Sequence, residues 1–183
     1  MEMPPDDIHK SYPAQYEGLL TLKNGKSVFI RPLLQSDEGL ILDLFGKLGL
    51  DSIYLRFLTY LKCIPEDLLF QLTHINYRSQ FALVAVVRED GRDDLIAVAR
   101  YCHDSEKKMT DFAIVVRDDC QRCGLGKSLL LKLFAIGREH GVTRFVSVID
   151  PENHLMKHLL RDLGYPVKYS YQKGCTQAEI FVT

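Results

Sequence analysis

The stretch Gln121-Arg122-Cys123-Gly124-Leu125-Gly126 constrains this chain most. It follows a run of β-type residues, Asp111-Phe112-Ala113-Ile114-Val115-Val116, and opens an amphipathic segment beginning at Lys127. A strand, a short glycine-bearing turn and a helix leave several backbone N–H groups bare at a positive helix end, an arrangement that binds phosphate or pyrophosphate. A side chain at Gly124 or Gly126 would keep a ligand away from that backbone. The segment taken alone fits an ordinary glycine-containing helix start equally well.

Three phosphate-loop patterns can be compared. A P-loop ends in Gly-Lys-Ser/Thr, as Gly126-Lys127-Ser128 does, but its first glycine would fall at Gln121. A dinucleotide fingerprint needs three glycines near the start of a domain, and only Gly124 and Gly126 are present, late in the chain. The third pattern, Gln/Arg-x-x-Gly-x-Gly/Ala after a central strand, is matched at every fixed position from Gln121 to Gly126.

The rest of the chain bounds the possibilities. At 183 residues it is most naturally one domain with a flexible tail, expected over 1–16 and 17–183 as tail and domain. A net charge of −1 gives no bulk attraction to nucleic acid or anionic membrane, and Lys107-Lys108 is read as solvated surface. No apolar run nears the ~18 residues that span a bilayer, and Met1 to Gln15 lacks a signal-peptide core, so the expected location is cytoplasmic. Five cysteines, an odd number without a secretory signal, imply free thiols. Cys120-x-x-Cys123 has no second ligand pair, and His154 with His158 has no third ligand, so no metal site is expected.

Patterning gives the order of elements. Leu19 to Leu33 reads as a hairpin about Asn24-Gly25. Ile41, Leu44, Phe45 and Leu48 mark a helix with Ser36 as its expected N-cap, Asp51 is expected to cap a second helix, and Pro65 to open a third. Strands follow over Phe81–Val87, Leu95–Tyr101 and Thr110–Val116, with a turn at Asp90-Gly91. The next helix has Leu129, Leu133 and Ile136 on one face and is expected to end between Gly137 and Gly141. Thr143–Ile149, a helix with a Leu155/Leu159/Leu163 stripe, and the pair Val167–Tyr171 and Ala178–Val182 complete the chain. The expected class is an α/β sandwich with a mixed sheet.

The third loop pattern is the pyrophosphate loop of the GNAT superfamily of acyl-CoA-dependent acyltransferases, and other segments resemble the same superfamily. Ile30-Arg31-Pro32-Leu33 with Ser36-Asp37-Glu38 is similar to its first strand and helix start. Asp51-Ser52-Ile53-Tyr54-Leu55-Arg56-Phe57 resembles the second helix of its bacterial protein-lysine acetyltransferases, and Phe112 to Asp119 their fourth strand. Asp150-Pro151-Glu152-Asn153, Leu159 and Leu163-Gly164-Tyr165 resemble the fifth-strand exit and next helix. The likeness runs from about Leu19 to Tyr171.

The resemblance implies a mostly antiparallel mixed sheet flanked by helices, with a splay between the fourth and fifth strands, Thr110–Val116 and Thr143–Ile149. Pantetheine would lie in that splay along the backbone of Ile114, Val115 and Val116. Pyrophosphate would sit on the N–H groups of Cys123, Gly124, Leu125, Gly126 and Lys127, flanked by Gln121, Arg122 and Ser128. Asn153 matches a pantetheine-contacting position and is equally a helix N-cap. The implied reaction moves acetyl from acetyl-CoA to an amine. A free lysine, with pKa about 10.4, lies roughly 3.4 units from its neutral form at pH 7, a penalty of about 4.6 kcal/mol, so a general base is useful. The resembling enzymes carry a glutamate at the position of Asp111, one methylene longer. Their usual tyrosine acid falls at Leu160, with Tyr165, Tyr169 and Tyr171 as conceivable substitutes. The expected acceptor is a protein lysine. A small amine, or a non-catalytic acyl-CoA sensor, are the alternatives, with a monomer or homodimer as the expected state. The additional synthetase-like or regulatory domain that protein-modifying relatives often carry is not expected here.

Overall fold

The computed structural model describes residues 11–182. The expected tail over residues 1–10 lies outside the described residues. Residues 11–16 do not hang free: Ala14–Tyr16 form a 3-10 turn. Tyr16 packs edge-on against Phe81, with ring centroids 5.4 Å apart, and its hydroxyl donates to Glu139 at 2.8 Å. An aromatic ring placed on apolar strand residues gains more by docking than a polar tail would.

An eight-stranded sheet forms the centre, in the order β1-β2-β3-β4-β5-β6-β8-β7. The hairpin strands β1 (Gly18–Thr21) and β2 (Ser27–Pro32) turn at Asn24-Gly25, where Gly25 adopts a φ of 81°. The helical layer follows: α1 (Glu38–Gly46), α2 (Leu50–Phe57) and α3 (Glu66–Thr73). β3 (Gln80–Glu89), β4 (Arg92–Asp104) and β5 (Met109–Val116) make an antiparallel meander. Then come α4 (Leu125–Glu139), β6 (Arg144–Ile149), α5 (His154–Asp162), β7 (Val167–Gln172) and β8 (Cys175–Phe181). All neighbouring strands are antiparallel except β5 and β6. This is the expected class, with the hairpin contributing two strands.

Strand alternation sends side chains to two cores. Phe81, Leu83 and Ala85 of β3, Ala99 and Tyr101 of β4 and Phe112 of β5 meet Leu125, Leu129, Leu133, Phe134 and Ile136 of α4. Ala82, Val84 and Val86 face the other way, onto Leu33, Ile41, Leu44 and Ile64, with Val98 and Val115 beside them. Each large side chain buried in these layers contributes about 1.5–3 kcal/mol.

Local chemistry moves three helix boundaries. Ser36 is not the N-cap of α1. A 3-10 turn, Gln35–Asp37, precedes the helix, and Asp37 is buried in a bidentate pair with Arg31 at 2.7 and 2.8 Å while accepting from the Leu34 N–H. Asp51 lies inside α2 behind Gly49, so it caps nothing. Pro65 is the N-cap residue of α3, one position outside it. Gly137 lies within α4: a Cβ there would come within 2.4 Å of the Phe145 ring, so the helix and β6 pack closely only because that Cβ is missing. The helix ends at Glu139, between Gly137 and Gly141 as expected, and Gly141 takes a left-handed φ of 87° just beyond it.

Candidate active site

β5 and β6 part company almost as soon as they meet. Only Thr110↔Phe145 and Asp111↔Val146 are in register, although β5 continues to Val116 and β6 to Ile149. Beyond Asp111 the facing edges have no strand partner between them. A cleft of about 590 Å³ opens there, lined by Asp111–Val116 on one side and Ser147–Ile149 on the other. Its size suits a cofactor-sized ligand.

The glycine turn stands at the splayed end. Val116 leads through a 3-10 turn, Asp118–Cys120, to Gln121. Arg122 and Gly124 then take left-handed backbone angles, φ 61° and 89°, which turn the chain sharply into α4. Gly124 suits that angle, whereas Arg122 holds it against its own side chain. No side chain caps α4, and its first backbone bond outside the helix body is Ser128 N–H to the Gly124 carbonyl at 3.1 Å. Among the described residues, no acceptor takes the N–H groups of Arg122 to Lys127. These bare donors at the positive end of a 15-residue helix suit a diphosphate.

Of the residues proposed from sequence, Asp111, Ile114, Val115, Val116, Gln121, Arg122, Gly124, Gly126, Lys127 and Asn153 line the cleft. Cys123, Leu125 and Ser128 do not. The Cys123 thiol turns back to the Cys120 carbonyl at 2.8 Å, and Leu125 is in the core. Their backbone N–H groups remain in the bare row. Gln121 does not reach outward as a free flank: its Nε2 donates to the Val116 carbonyl at 3.1 Å and tethers the turn to β5. At Gly126 a Cβ would meet Leu159, Val116 and Ile114 at ordinary contact distances, 3.5–3.8 Å, so it would narrow the cleft without clashing. Asn153 is an N-cap, accepting from Met156 N–H at 2.9 Å, and borders the cleft as well.

Asp111 occupies the last paired rung before the splay, on the sheet face shared with Ala113 and Val115. Its side chain reaches solvent, yet the cleft walls displace enough water to raise its carboxyl above the ordinary range. Lys107 opposes that shift and Asp104 adds to it. A carboxyl moved upward in this way is better matched to proton acceptance near neutral pH.

Leu160 is fully buried in the core, and none of Tyr165, Tyr169 and Tyr171 lines the cleft. Tyr165 packs on Phe134, with centroids 6.1 Å apart, while Tyr169 and Tyr171 are exposed on β7.

Sequence reasoning expected the helices between Ser36 and Ile75 to shape the acceptor side but named none of the α2 residues as a wall of the cleft. Ser52, Leu55, Arg56, Phe57 and Leu58 all line the cleft. Leu58 holds a left-handed φ of 54° as it ends the helix. The N-terminus of α2 is capped from a distance: the Asp118 carboxylate accepts from Gly49 N–H at 2.9 Å and Ser52 Oγ at 2.5 Å. The far side of the splay is tied on by Tyr54, which donates to Asp150 just after β6 at 3.2 Å. Lys23 was missed too. Its N–H donates to the Cys123 carbonyl at 3.0 Å, and its side chain lies over Gly124. Glycine turns and strand runs carry no sign of these distant partners, though the α2 motif itself was visible.

Cys120 and Cys123 are unbridged, and burial pushes the Cys120 thiol up, away from the reactive thiolate. Among the described residues no three His, Cys, Asp or Glu side chains converge as metal ligands, and no helix is long and apolar enough to cross a membrane.

The acetyltransferase (GNAT) family model matches residues 50–165. An acetyltransferase of Pseudomonas aeruginosa is 32% identical over 145 residues, covering 79% of this chain and 78% of that protein. Among solved structures, the GNAT domain of S. lividans PAT superposes with a TM-score of 0.86 at 25% identity, over 94% of this chain and 100% of that one. A cAMP-binding acyltransferase from Mycobacterium smegmatis gives 0.62 at 23% identity, over 91% of this chain and 47% of that one, and so shares the fold. The matched span holds the splayed strands, the bare amide row and the α2 wall together, and with these matches the chain belongs to the acetyltransferase (GNAT) family.

Proposed function

We propose that this protein is an N-acetyltransferase that takes acetyl from acetyl-CoA, with residues 17–183 as one catalytic domain and a protein lysine side chain as acceptor. The observation that carries the reading is the continuity of the cleft: bare amides from Arg122 to Lys127, then an unpaired β5 edge, then Asp111 at the fork. In this reading the diphosphate lies on the amides, with Arg122 and Lys127 adding charge. The pantetheine arm completes the unpaired edges of β5 and β6. From Val116 to Asp111 is about 16–17 Å of extended chain, along which the thioester is carried through the sheet.

The reacting amine must be neutral. Asp111, directly or through one water, accepts the proton of the attacking ammonium. The neutral amine nitrogen forms a bond to the thioester carbonyl carbon and gives up a second proton to solvent, the carbon–sulfur bond breaks, and the sulfur leaves with the electron pair. The thiol's pKa, near 8.5 as for cysteine, makes it a tolerable leaving group with Leu160 in place of an acid. Its proton comes from Asp111 or solvent. A putative acetyltransferase from Salmonella typhimurium, solved with acetyl-CoA, shares this fold with a TM-score of 0.61 at 17% identity and supports the choice of donor.

A protein acceptor is supported by the likeness of Asp51–Phe57 and Phe112–Asp119 to the protein-modifying branch. Leu50 and Tyr60, at either end of α2, are exposed and offer a polypeptide apolar contact. Thiol release from acetyl-CoA, measured with lysine-bearing proteins and with a panel of free amines, tests the reading. Release with proteins and little with free amines is expected. Release only with free amines would replace the acceptor, and binding without release for all of them would make the chain a sensor.

A further inference from the structure

Among the described residues, two arginines on the α2 side of the cleft have no anionic partner. Arg56 lines both the main cleft and a smaller cavity of about 40 Å³ behind it, where Arg100 also stands. Arg56 is half-buried and borders the cleft. Its guanidinium lies 4.7 Å from the Phe57 ring centroid. No carboxylate among the described residues pairs with it. Desolvation and the neighbouring Arg100 charge pull it down to about 10. Arg100 is drawn down by burial as well, and among the described residues its guanidinium donates one hydrogen bond, to the neutral Gln71 carbonyl at 3.2 Å. Arg31 shows what the chain does with a structural buried arginine: it supplies Asp37 in a bidentate pair.

The two guanidiniums also have a defined position relative to Asp111. Arg100 pairs across the ladder with Ala113, and Cys102 with Asp111, so Arg100 and Asp111 share a sheet face one alternate position apart. That separation is about 7 Å along the strands. Yet Arg100 and Asp111 form no ion pair. An arginine fork with a free edge in a partly dry site is a carboxylate receptor.

We propose that Arg56, backed by Arg100, binds a carboxylate of the acceptor, so that the enzyme selects lysines with an acidic residue beside them. The inference rests on the lysine acetyltransferase reading and names the acceptor's chemistry. The carboxylate would neutralise two mutually repelling cations and fix the chain while the lysine amine reaches Asp111.

The test uses two peptides, each with one lysine, differing only in a glutamate or glutamine next to it. Each is assayed by thiol release with the wild type, Arg56→Gln and Arg56→Lys, and acetyl-CoA affinity measured by calorimetry reports whether each variant is folded. At least a tenfold higher kcat/KM for the glutamate peptide is expected in the wild type. That preference should vanish in R56Q and shrink in R56K, with acetyl-CoA affinity held within about twofold. Equal rates on the two peptides in the wild type would overturn the inference and leave acetyl transfer standing. If neither peptide is acetylated although acetyl-CoA binds, the lysine reading fails separately. Free lysine against cadaverine then decides the carboxylate question by the same tenfold, Arg56-dependent criterion. A tenfold, Arg56-dependent advantage of succinyl-CoA over acetyl-CoA would place the carboxylate on the donor and overturn its assignment to the acceptor.

Discussion

The two sides of the cleft are built by opposite means. On the α4 side, one contiguous stretch, Gln121 to Lys127, supplies the site with backbone groups, and side chains mostly serve to hold the turn. On the α2 side, the proposed groups Arg56, Arg100 and Asp111 come from three elements and would act through their side chains. Asp118 joins the two: its carboxylate holds the start of α2 and also receives Gln121 Nε2 at 3.4 Å. A site for an invariant ligand part can be local and made of main chain, whereas a site for a variable acceptor needs exchangeable side chains.

The contrast makes distinct demands on mutants. Asp111→Asn should lower kcat by about 10²–10⁴-fold, the range for loss of a general base, while acetyl-CoA affinity changes by less than about twofold. Normal turnover in steady-state assays would remove Asp111 from the chemistry. Gly124→Val should do the reverse. A β-branched residue in the left-handed region costs at least about 1–2 kcal/mol, and its side chain would press on Lys23. Acetyl-CoA affinity by calorimetry should fall about tenfold or more, with kcat at saturation largely kept.

Asp118→Ala should blur the two sides. Loss of a helix-cap acceptor costs about 1 kcal/mol, and both the donor and acceptor KM should rise. Movement of only one of them would show that Asp118 serves a single side. The smallest effect concerns pH. The Asp111 carboxyl is raised by desolvation, so between its unfolded and folded values the folded chain holds more protons. Stability therefore declines as pH rises through that window and stays lowered above it. Asp111→Asn should melt at a slightly higher temperature than wild type at neutral pH, with the gain disappearing below the unfolded carboxylate range. Activity of the wild type should rise with pH through the raised folded value.

The same contrast explains what could be seen in the sequence. Asn24-Gly25, Asp90-Gly91 and Gly124 announce their conformations because the required angles, φ 81°, 50° and 77°, and 89°, restrict the residues that can adopt them. Strand and helix order followed from apolar periodicity. The helix end between Gly137 and Gly141 was legible, but the packing role of Gly137 was not, because only the Phe145 ring reveals it. Ser36 looked like a cap because the pairing of Asp37 with Arg31 depends on the turn being folded. The arginine pair stayed invisible because Arg56 and Arg100 are brought together by the packing of α2 and β4 across the sheet.

The fork has a mechanical consequence. Its stem is zipped at Thr110 and Asp111 and clamped where α4 rests on the Phe145 ring, while the tips near Val116 and Ile149 share no rung. Like the prongs of a tuning fork, the strands can bend only with an amplitude that grows away from the stem. In the proposed reading the base, Asp111, is thus mounted at the stillest point, and the part of the donor that would thread the gap meets walls that yield to admit it.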